Sequence, residues 1–210
     1  MRSLFGGRAG GAIDWLIVGL GNPGREYART RHNVGFMVAA ALVERWGLAR
    51  SSDRFRGRIV EGRAGTATAG EAPVAAAPRV AVLCPQTQMN DAGRSVGPAR
   101  GAFKLPLARV LVVHDEIDLP FGEVRTRTGG GLAGHNGLKS LKRELGGGDF
   151  TRVRVGVGRP DSTDPEIVSA WVLGSFRESE TQVSELIEHA CEEVERVVLG
   201  QDAELDRNAS

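Results

Sequence analysis

Apolar segments of two different periods alternate along this chain, and this alternation limits its fold more than any other feature. Residues Asp14–Leu20 form a short apolar run typical of a buried strand, whereas apolar residues recur at helical spacing from Val34 to Trp46. The other predicted strands cover Gly57–Glu61, Arg79–Cys84, Arg109–His114, Glu123–Thr128 and Arg152–Gly158. Further helices are predicted over Asn90–Phe103, through Leu138–Leu145 and after a Ser179–Gln182 capping box. The pattern predicts an α/β fold, a single domain with a twisted mixed, largely parallel β-sheet flanked by helices on both faces.

Composition agrees with one domain of ordinary size. The 210 residues are 41% hydrophobic, which suits a single core, and we place the domain at residues 14–200 with flexible ends at 1–13 and 201–210. Cys84 and Cys191 lie far apart, which argues against a disulfide framework and favours a reducing cytoplasm. No apolar run approaches the length of a membrane span, and no segment has the character of an obligate interface. A cytoplasmic monomer is therefore expected.

Charge is distributed unevenly along the chain. Residues 123–159 contain 8 Lys+Arg against 3 Asp+Glu, whereas residues 160–210 contain 3 against 13. Strand alternation places Arg125 and Arg127 on one face, and Arg152 and Arg154 likewise share a face opposite a row of valines. The middle segment therefore predicts a local surface for phosphate groups.

The stretch Gly19–Gly24 matches the glycine fingerprint of dinucleotide-binding folds and follows a predicted strand. That fingerprint requires an acidic residue about 20 positions further on, at the end of a second strand. Here Glu44 falls within a helix, and Glu61 is nearly twice as far away as the fingerprint requires. A nicotinamide enzyme is therefore the weaker interpretation, and no cofactor is expected.

Polar segments follow several predicted strand ends, where ligands collect in open α/β sheets. They are Gly21–Tyr27 with Thr30–Gly35, Gln88–Asn90, His114–Pro120, and Gly129–Gly131 with Gly134–Lys139. A histidine that titrates near neutrality can take a proton from water, although a lone histidine is more often a surface residue. A metal site is disfavoured, because the dense run of His114, Asp115, Glu116 and Asp118 does not clearly project two ligands to one side.

In this order, these segments resemble the bacterial peptidyl-tRNA hydrolase family. The resemblance runs from about Trp15 to Ser175, and its most specific parts are Thr30–Gly35, His114–Pro120 and Gly134–Lys139. It implies hydrolysis of the ester bond of N-blocked peptidyl-tRNA, with release of free tRNA and peptide. The implied partner is therefore peptidyl-tRNA, contacted at its acceptor end and 3′ terminus.

The resemblance also implies roles for individual residues. His32 matches the catalytic histidine, the general base on water, and Asp115 matches the carboxylate that orients it. Asn22 matches the amide that separates peptidyl-tRNA from free aminoacyl-tRNA. The positions implied to bind substrate or tRNA are Tyr27, Gln88, Asn90, Asn136, Arg125 and Arg154. Gln88 departs from the family, which usually has an aromatic residue there, so a stacking contact at this position does not carry over.

A binding protein is the alternative from another class. RNA-splicing relatives in plant organelles have the same scaffold, so the fold alone does not establish hydrolysis. The presence of His32, Asp115 and all three asparagines favours the enzyme.

Overall fold

A computed structural model describes residues 11–65 and 77–200, which form one seven-stranded sheet in the order β2-β3-β4-β1-β5-β7-β6. The strands are β1 (Trp15–Gly19), β2 (Ser51–Arg54), β3 (Gly57–Arg63), β4 (Arg79–Pro85), β5 (Val110–Glu116), β6 (Val124–Thr128) and β7 (Thr151–Gly156). The helices are α1 (Val34–Arg45), α2 (Gly93–Phe103), α3 (Asn136–Leu145), α4 (Pro165–Leu173) and α5 (Glu180–Val198). Most of the extension predicted at 1–13, and all of the tail predicted at 201–210, lie outside the described residues.

The sheet is mixed, as predicted, but it is not largely parallel, because three of its six strand pairs are antiparallel. Its four central strands, β4, β1, β5 and β7, run parallel, whereas the pairs β2–β3, β3–β4 and β6–β7 are antiparallel. Parallel strands end at the same edge of a sheet, so the loops after β1, β4 and β5 meet there. Segments that are far apart in sequence are brought together in this way.

Helices cover both faces of the sheet, as predicted. Helices α1 and α5 pack on one face, and α2 and α3 pack on the other. All five residues of β1 are buried, with Ile17 in the first core and Leu16 and Val18 in the second. A strand covered on both faces needs apolar residues at successive positions, which explains the continuous run that predicted β1.

Two glycines allow α1 to lie close to the sheet. A side-chain carbon on Gly19 would lie 2.3 Å from the carbonyl oxygen of Gly35, and one on Gly35 would lie 2.4 Å from that of Val113. Both positions therefore require glycine. Gly19, the first glycine of the dinucleotide-like fingerprint, thus serves strand–helix packing, which brings the start of α1 against the end of β5.

Two elements of the structure were not predicted from the sequence. Strand β2 is a fully exposed edge strand, and its hairpin to β3 turns through Phe55 and Arg56 at positive φ instead of through the usual Asn-Gly. Helix α4 is capped by Asp164, whose carboxylate accepts a hydrogen bond from the N–H of Glu166 at 2.8 Å. An N-capping aspartate followed by Pro165 is a recognisable start signal, which the sequence therefore did contain.

The predicted helix boundaries need one correction. Helix α2 begins at Gly93 and not at the predicted Asn90, because Met89–Asp91 form a separate 3-10 turn. Helix α5 begins with the predicted capping box of Ser179 and Gln182. Across residues 11–65 and 77–200, no helix has both the length and the apolar character needed to cross a bilayer.

Candidate active site

A cleft with a volume of about 650 Å³ opens at the edge of the sheet where β1, β4 and β5 end. Residues of α3 and α4 complete its lining. Six of the predicted site residues line it, namely Asn22, His32, Gln88, Asn90, Asp115 and Asn136. Tyr27, Arg125 and Arg154 are not part of this lining.

His32 and Asp115 form a hydrogen-bonded pair at the cleft. His32 lies in a 3-10 turn directly before α1, and its Nδ1 lies 2.8 Å from Oδ1 of Asp115, whose side chain is 2% exposed. Burial raises the pKa of the Asp115 carboxyl, but attraction to His32 and His135 and their hydrogen bonds outweigh burial and hold this pKa well below its ordinary value. The carboxylate can only accept a hydrogen bond, so Nδ1 of His32 donates and Nε2 carries the lone pair.

His135 is a third member of this cluster, which the sequence did not single out. Its Nε2 lies 3.0 Å from the same Oδ1 atom of Asp115. Its Nδ1 accepts hydrogen bonds from the backbone N–H groups of Gly137 and Leu138, at 3.1 and 3.3 Å. The sequence feature that could have identified His135 as a site residue is its position beside Asn136 in the Gly134–Lys139 segment.

The same three side chains have the spacing of a metal site, since their ligand atoms lie within 4.8 Å of one another. A metal on Nε2 of His135 would need a lone pair there while Nδ1 already accepts two hydrogen bonds. The ring would then have to lose both protons, so the pattern favours a hydrogen-bonded cluster. Two acidic ligands considered from the sequence are engaged elsewhere, Glu116 with Arg154 and Asp118 with Arg159.

Asn22 is held in one orientation by its neighbours. Its Oδ1 accepts a hydrogen bond from the backbone N–H of Met89 at 2.8 Å. Asn33 clamps the Asn22 backbone, donating to its carbonyl and accepting from its N–H, both at 2.9 Å. The hydrogen bond from Met89 fixes the orientation of the amide, and Nδ2 has no hydrogen-bond partner among the described residues, so its N–H groups remain for the cleft. Asn33 was not predicted as a site residue, although it stands next to His32.

The other cleft amides lie where side chains reach solvent. Gln88 and Asn90 follow β4, and Asn136 is the first residue of α3. All three are exposed, and they supply hydrogen-bond donors and acceptors without charge. Lys139, one turn further along α3, adds an exposed cation to the lining and was not predicted.

Helix α4 adds an apolar part of the lining through Val168 and Val172. Its C-terminal end is held by Arg31, the buried residue directly before His32. The Arg31 guanidinium lies 4.0 Å from the centre of the Trp171 ring and donates to the carbonyl of Ser175 at 2.8 Å. The turn that carries His32 is thus tied to the helix that lines the cleft.

The arginines of β6 and β7 share one face of the sheet, whereas strand alternation predicted a common face only within each strand. In the antiparallel register Arg125 lies opposite Arg154, and Arg127 lies opposite Arg152. Arg152 is buried and donates to the carbonyl oxygens of Gly129 and Gly131, so it holds the glycine-rich loop.

The four arginines differ in how available their guanidinium groups are. Nε of Arg154 donates to Oε2 of Glu116 at 3.0 Å, and the two side chains are 19% and 3% exposed. Arg125 is more exposed and pairs with Glu123 at 2.7 Å. Arg127 is exposed and has no ion-pair partner in the part of the chain that the structure describes. Arg127 therefore offers phosphate the most available guanidinium of the four.

His114 makes folding stability depend on pH. Burial, followed by repulsion from His135, lowers its pKa from 6.5 to about 3. Below pH 6.5 the unfolded chain takes up a proton that the folded protein does not, so acid favours unfolding.

We expect the free energy of unfolding to fall by about 1.4 kcal/mol per pH unit between the pKa values of His114 in the unfolded and the folded protein. Urea unfolding at several pH values measures this slope, and His114→Gln, which does not titrate, should lose about 2.7 kcal/mol less over two pH units. Equal losses in the two proteins would contradict the prediction.

Several known proteins are similar to this chain in sequence and in structure. The chain matches the family model described as Peptidyl-tRNA hydrolase over residues 16–209. It is 41% identical to a peptidyl-tRNA hydrolase of Azorhizobium caulinodans over 190 residues, which cover 90% of this chain and 86% of the relative. It is 48% identical to a peptidyl-tRNA hydrolase of Geotalea daltonii over 165 residues, 79% of each chain. The crystal structure of peptidyl-tRNA hydrolase from Acinetobacter baumannii matches with a TM-score of 0.75 at 36% identity, covering 93% of this chain and 94% of that one. By sequence and by structure, this chain belongs to the peptidyl-tRNA hydrolase family.

Proposed function

We propose that this protein hydrolyses the ester bond of N-blocked peptidyl-tRNA, releasing free tRNA and peptide, with His32 as the general base on water. The observation that carries the proposal is the 2.8 Å hydrogen bond from Nδ1 of His32 to Oδ1 of Asp115 at the cleft. This bond leaves Nε2 to accept a proton, and Asp115 stabilises the imidazolium that then forms. Family membership supports the same substrate class.

The reaction requires water, the substrate and a proton-transferring group, which the protein supplies in His32. Nε2 of His32 takes one proton from water as the water oxygen bonds to the ester carbonyl carbon. The tetrahedral intermediate then collapses, the bond from carbon to the ribose oxygen breaks, and His32 returns the proton to that oxygen. The products are a peptide acid and a tRNA with a free terminal hydroxyl, and the proposal includes neither a metal nor a cofactor.

Asn22 distinguishes blocked from free amino groups by charge. Since the N–H of Met89 occupies Oδ1, Asn22 presents its Nδ2–H groups to the substrate. A donor stabilises the carbonyl oxygen of an N-acyl group, but it repels the ammonium of an unblocked aminoacyl-tRNA. The hydrogen bond from the backbone of Met89 thereby determines that Asn22 favours the N-acylated substrate over the unblocked one.

The exposed amides of the cleft hold the end of the substrate. Gln88, Asn90 and Asn136 bind the terminal nucleotide and the peptide backbone, because amides can pair with both without a charge cost. Tyr27, which lies outside the cleft lining, contacts the tRNA away from the ester.

The arginine face of β6 and β7 binds the phosphates of the acceptor end. Arg125 and Arg154 belong to this face, and Arg127 has the most available guanidinium. Because such contacts replace counterions, substrate binding should weaken as salt rises.

The protein is proposed to act as a monomer in the cytoplasm. Both edge strands, β2 and β6, carry exposed polar or charged residues, which disfavour pairing with a second sheet. Cys84 and Cys191 are not paired with each other, as is usual in a reducing compartment.

The experiment compares release of the amino acid from N-acetylated and unblocked forms of the same aminoacyl-tRNA. Wild type is expected to release the acetylated form selectively. In Asn22→Asp a carboxylate still accepts from Met89 but attracts an ammonium, so the preference for the acetylated form should fall by about tenfold or more. Asn22→Ala is the matched control. It should hydrolyse the acetylated substrate more slowly than wild type does, and the unblocked substrate no faster.

The RNA-binding alternative predicts a different result. A relative without hydrolase activity would bind tRNA and release neither amino acid. If wild type shifts tRNA on a gel but releases nothing, the RNA-binding function replaces the enzyme.

A further inference from the structure

Both ring nitrogens of His135 are engaged, and together they determine where its proton lies. Its side chain is 7% exposed, and Nδ1 caps α3 by accepting from the N–H groups of Gly137 and Leu138. An acceptor nitrogen carries no proton, so the proton of the ring is on Nε2.

The proton on Nε2 is aimed at the carboxylate of the catalytic pair. Nε2 of His135 lies 3.0 Å from Oδ1 of Asp115, and Nδ1 of His32 lies 2.8 Å from the same atom. The two imidazole rings are 4.9 Å apart between centroids. One carboxylate oxygen thus accepts from both rings, one of which is fixed by the backbone of α3.

We propose that His135 is a positioning residue, which keeps the Asp115 carboxylate directed at His32 by linking it to the backbone N–H groups of α3. The inference rests on the proposed function, since it assigns His135 a part in the action of His32. It makes the start of α3 a structural anchor for the general base, although His32 and α3 are not adjacent in sequence.

The other charged and titratable groups at this corner are engaged elsewhere. His114, whose ring centroid is 5.1 Å from that of His135, donates through Nδ1 to the backbone carbonyl of Asp115 and not to its carboxylate. Glu116 pairs with Arg154, and Arg152 donates to the glycine-rich loop. Within residues 11–65 and 77–200, the carboxylate of Asp115 therefore has the two histidines as its hydrogen-bonding side chains.

Two substitutions separate the two bonds of His135. In His135→Asn the amide oxygen still caps α3, since asparagine is a preferred capping residue, but the side chain is too short to reach Asp115. In His135→Gln the longer side chain brings an N–H donor to the position of Nε2 and gives up the cap. Activity and thermal stability of both variants are measured with N-acetylaminoacyl-tRNA.

We expect His135→Asn to lower kcat by roughly tenfold, the rate equivalent of one hydrogen bond to a charged group, with KM within about twofold. His135→Gln should recover part of kcat although it is the less stable protein.

Several results would overturn the proposal. Wild-type kcat in His135→Asn would show that the bond to Asp115 has no role, and a rise in KM alone would make His135 a substrate-binding residue. If kcat fell in parallel with thermal stability in both variants, the role of His135 would be only that of a helix cap. Long-range ¹⁵N–¹H NMR of wild type tests the tautomer without any assay of activity, and a proton on Nδ1 of His135 would refute the inference even if His32 is the base.

Discussion

His32→Ala is expected to lower kcat for N-acetylaminoacyl-tRNA by about 10²- to 10⁴-fold, the usual contribution of a general base. The physical reason is that Nε2 of His32 carries the lone pair that we propose accepts the proton of water, while Nδ1 donates to Oδ1 of Asp115 at 2.8 Å. KM should change little, because the amides and arginines proposed to bind tRNA remain in place. Initial rates at saturating substrate measure the effect.

The chain offers a matched control for this substitution. His189 lies on the exposed side of α5, and His189→Ala should retain the kcat of wild type. Circular dichroism and thermal unfolding check that both variants are folded. If folded His32→Ala kept wild-type kcat, the assignment of the base would be wrong, whereas an equal loss in His189→Ala would mean that the assay reports stability.

Arg154→Ala should reduce the free energy of unfolding by about 3–5 kcal/mol, the cost of leaving one partner of a buried ion pair without the other. Glu116, 3% exposed, receives the Nε–H of Arg154 at 3.0 Å and would be left as an unpaired charge below the surface. Urea unfolding measures the loss. Restoring part of the lost stability with Glu116→Gln in the same chain would identify the unpaired charge as its cause.

Arg127→Ala is the matched control on the same face. Its side chain is exposed and has no ion-pair partner in the described ranges, so its removal should change the free energy of unfolding by about 0.5 kcal/mol or less. It should instead raise KM for tRNA substrates at low salt and make KM depend less on salt. If Arg154→Ala raised KM without loss of stability, phosphate binding would be the main role of Arg154, and its ion pair with Glu116 would contribute little to stability.

These two arginines illustrate what strand alternation can and cannot predict. The period of two placed Arg125, Arg127, Arg152 and Arg154 on shared faces, and the register between β6 and β7 agrees. Alternation does not say what lies beside that face on the neighbouring strand. Arg154 meets Glu116 because β5 is the next strand, and the two residues are 38 positions apart in sequence.

The sequence by itself determined the class of fold and six of the residues that line the cleft. Local periodicity distinguishes strands from helices, and polar segments after parallel strands necessarily meet at one edge of the sheet. The resemblance then associated a role with each polar residue. These inferences depend on neighbours in the chain or on motifs, both of which can be read along the sequence.

Only the tertiary structure decided how those residues are oriented and paired. The donor face of Asn22 follows from the backbone of Met89, 67 positions away, and the proton of His135 follows from its position at the start of α3. Asp115 receives His32 and His135 on one oxygen because β5 ends between α1 and α3. Hydrogen-bond direction depends on which groups face each other in space. The period of a strand or helix shows which face a side chain lies on, but not which residue of another element it contacts.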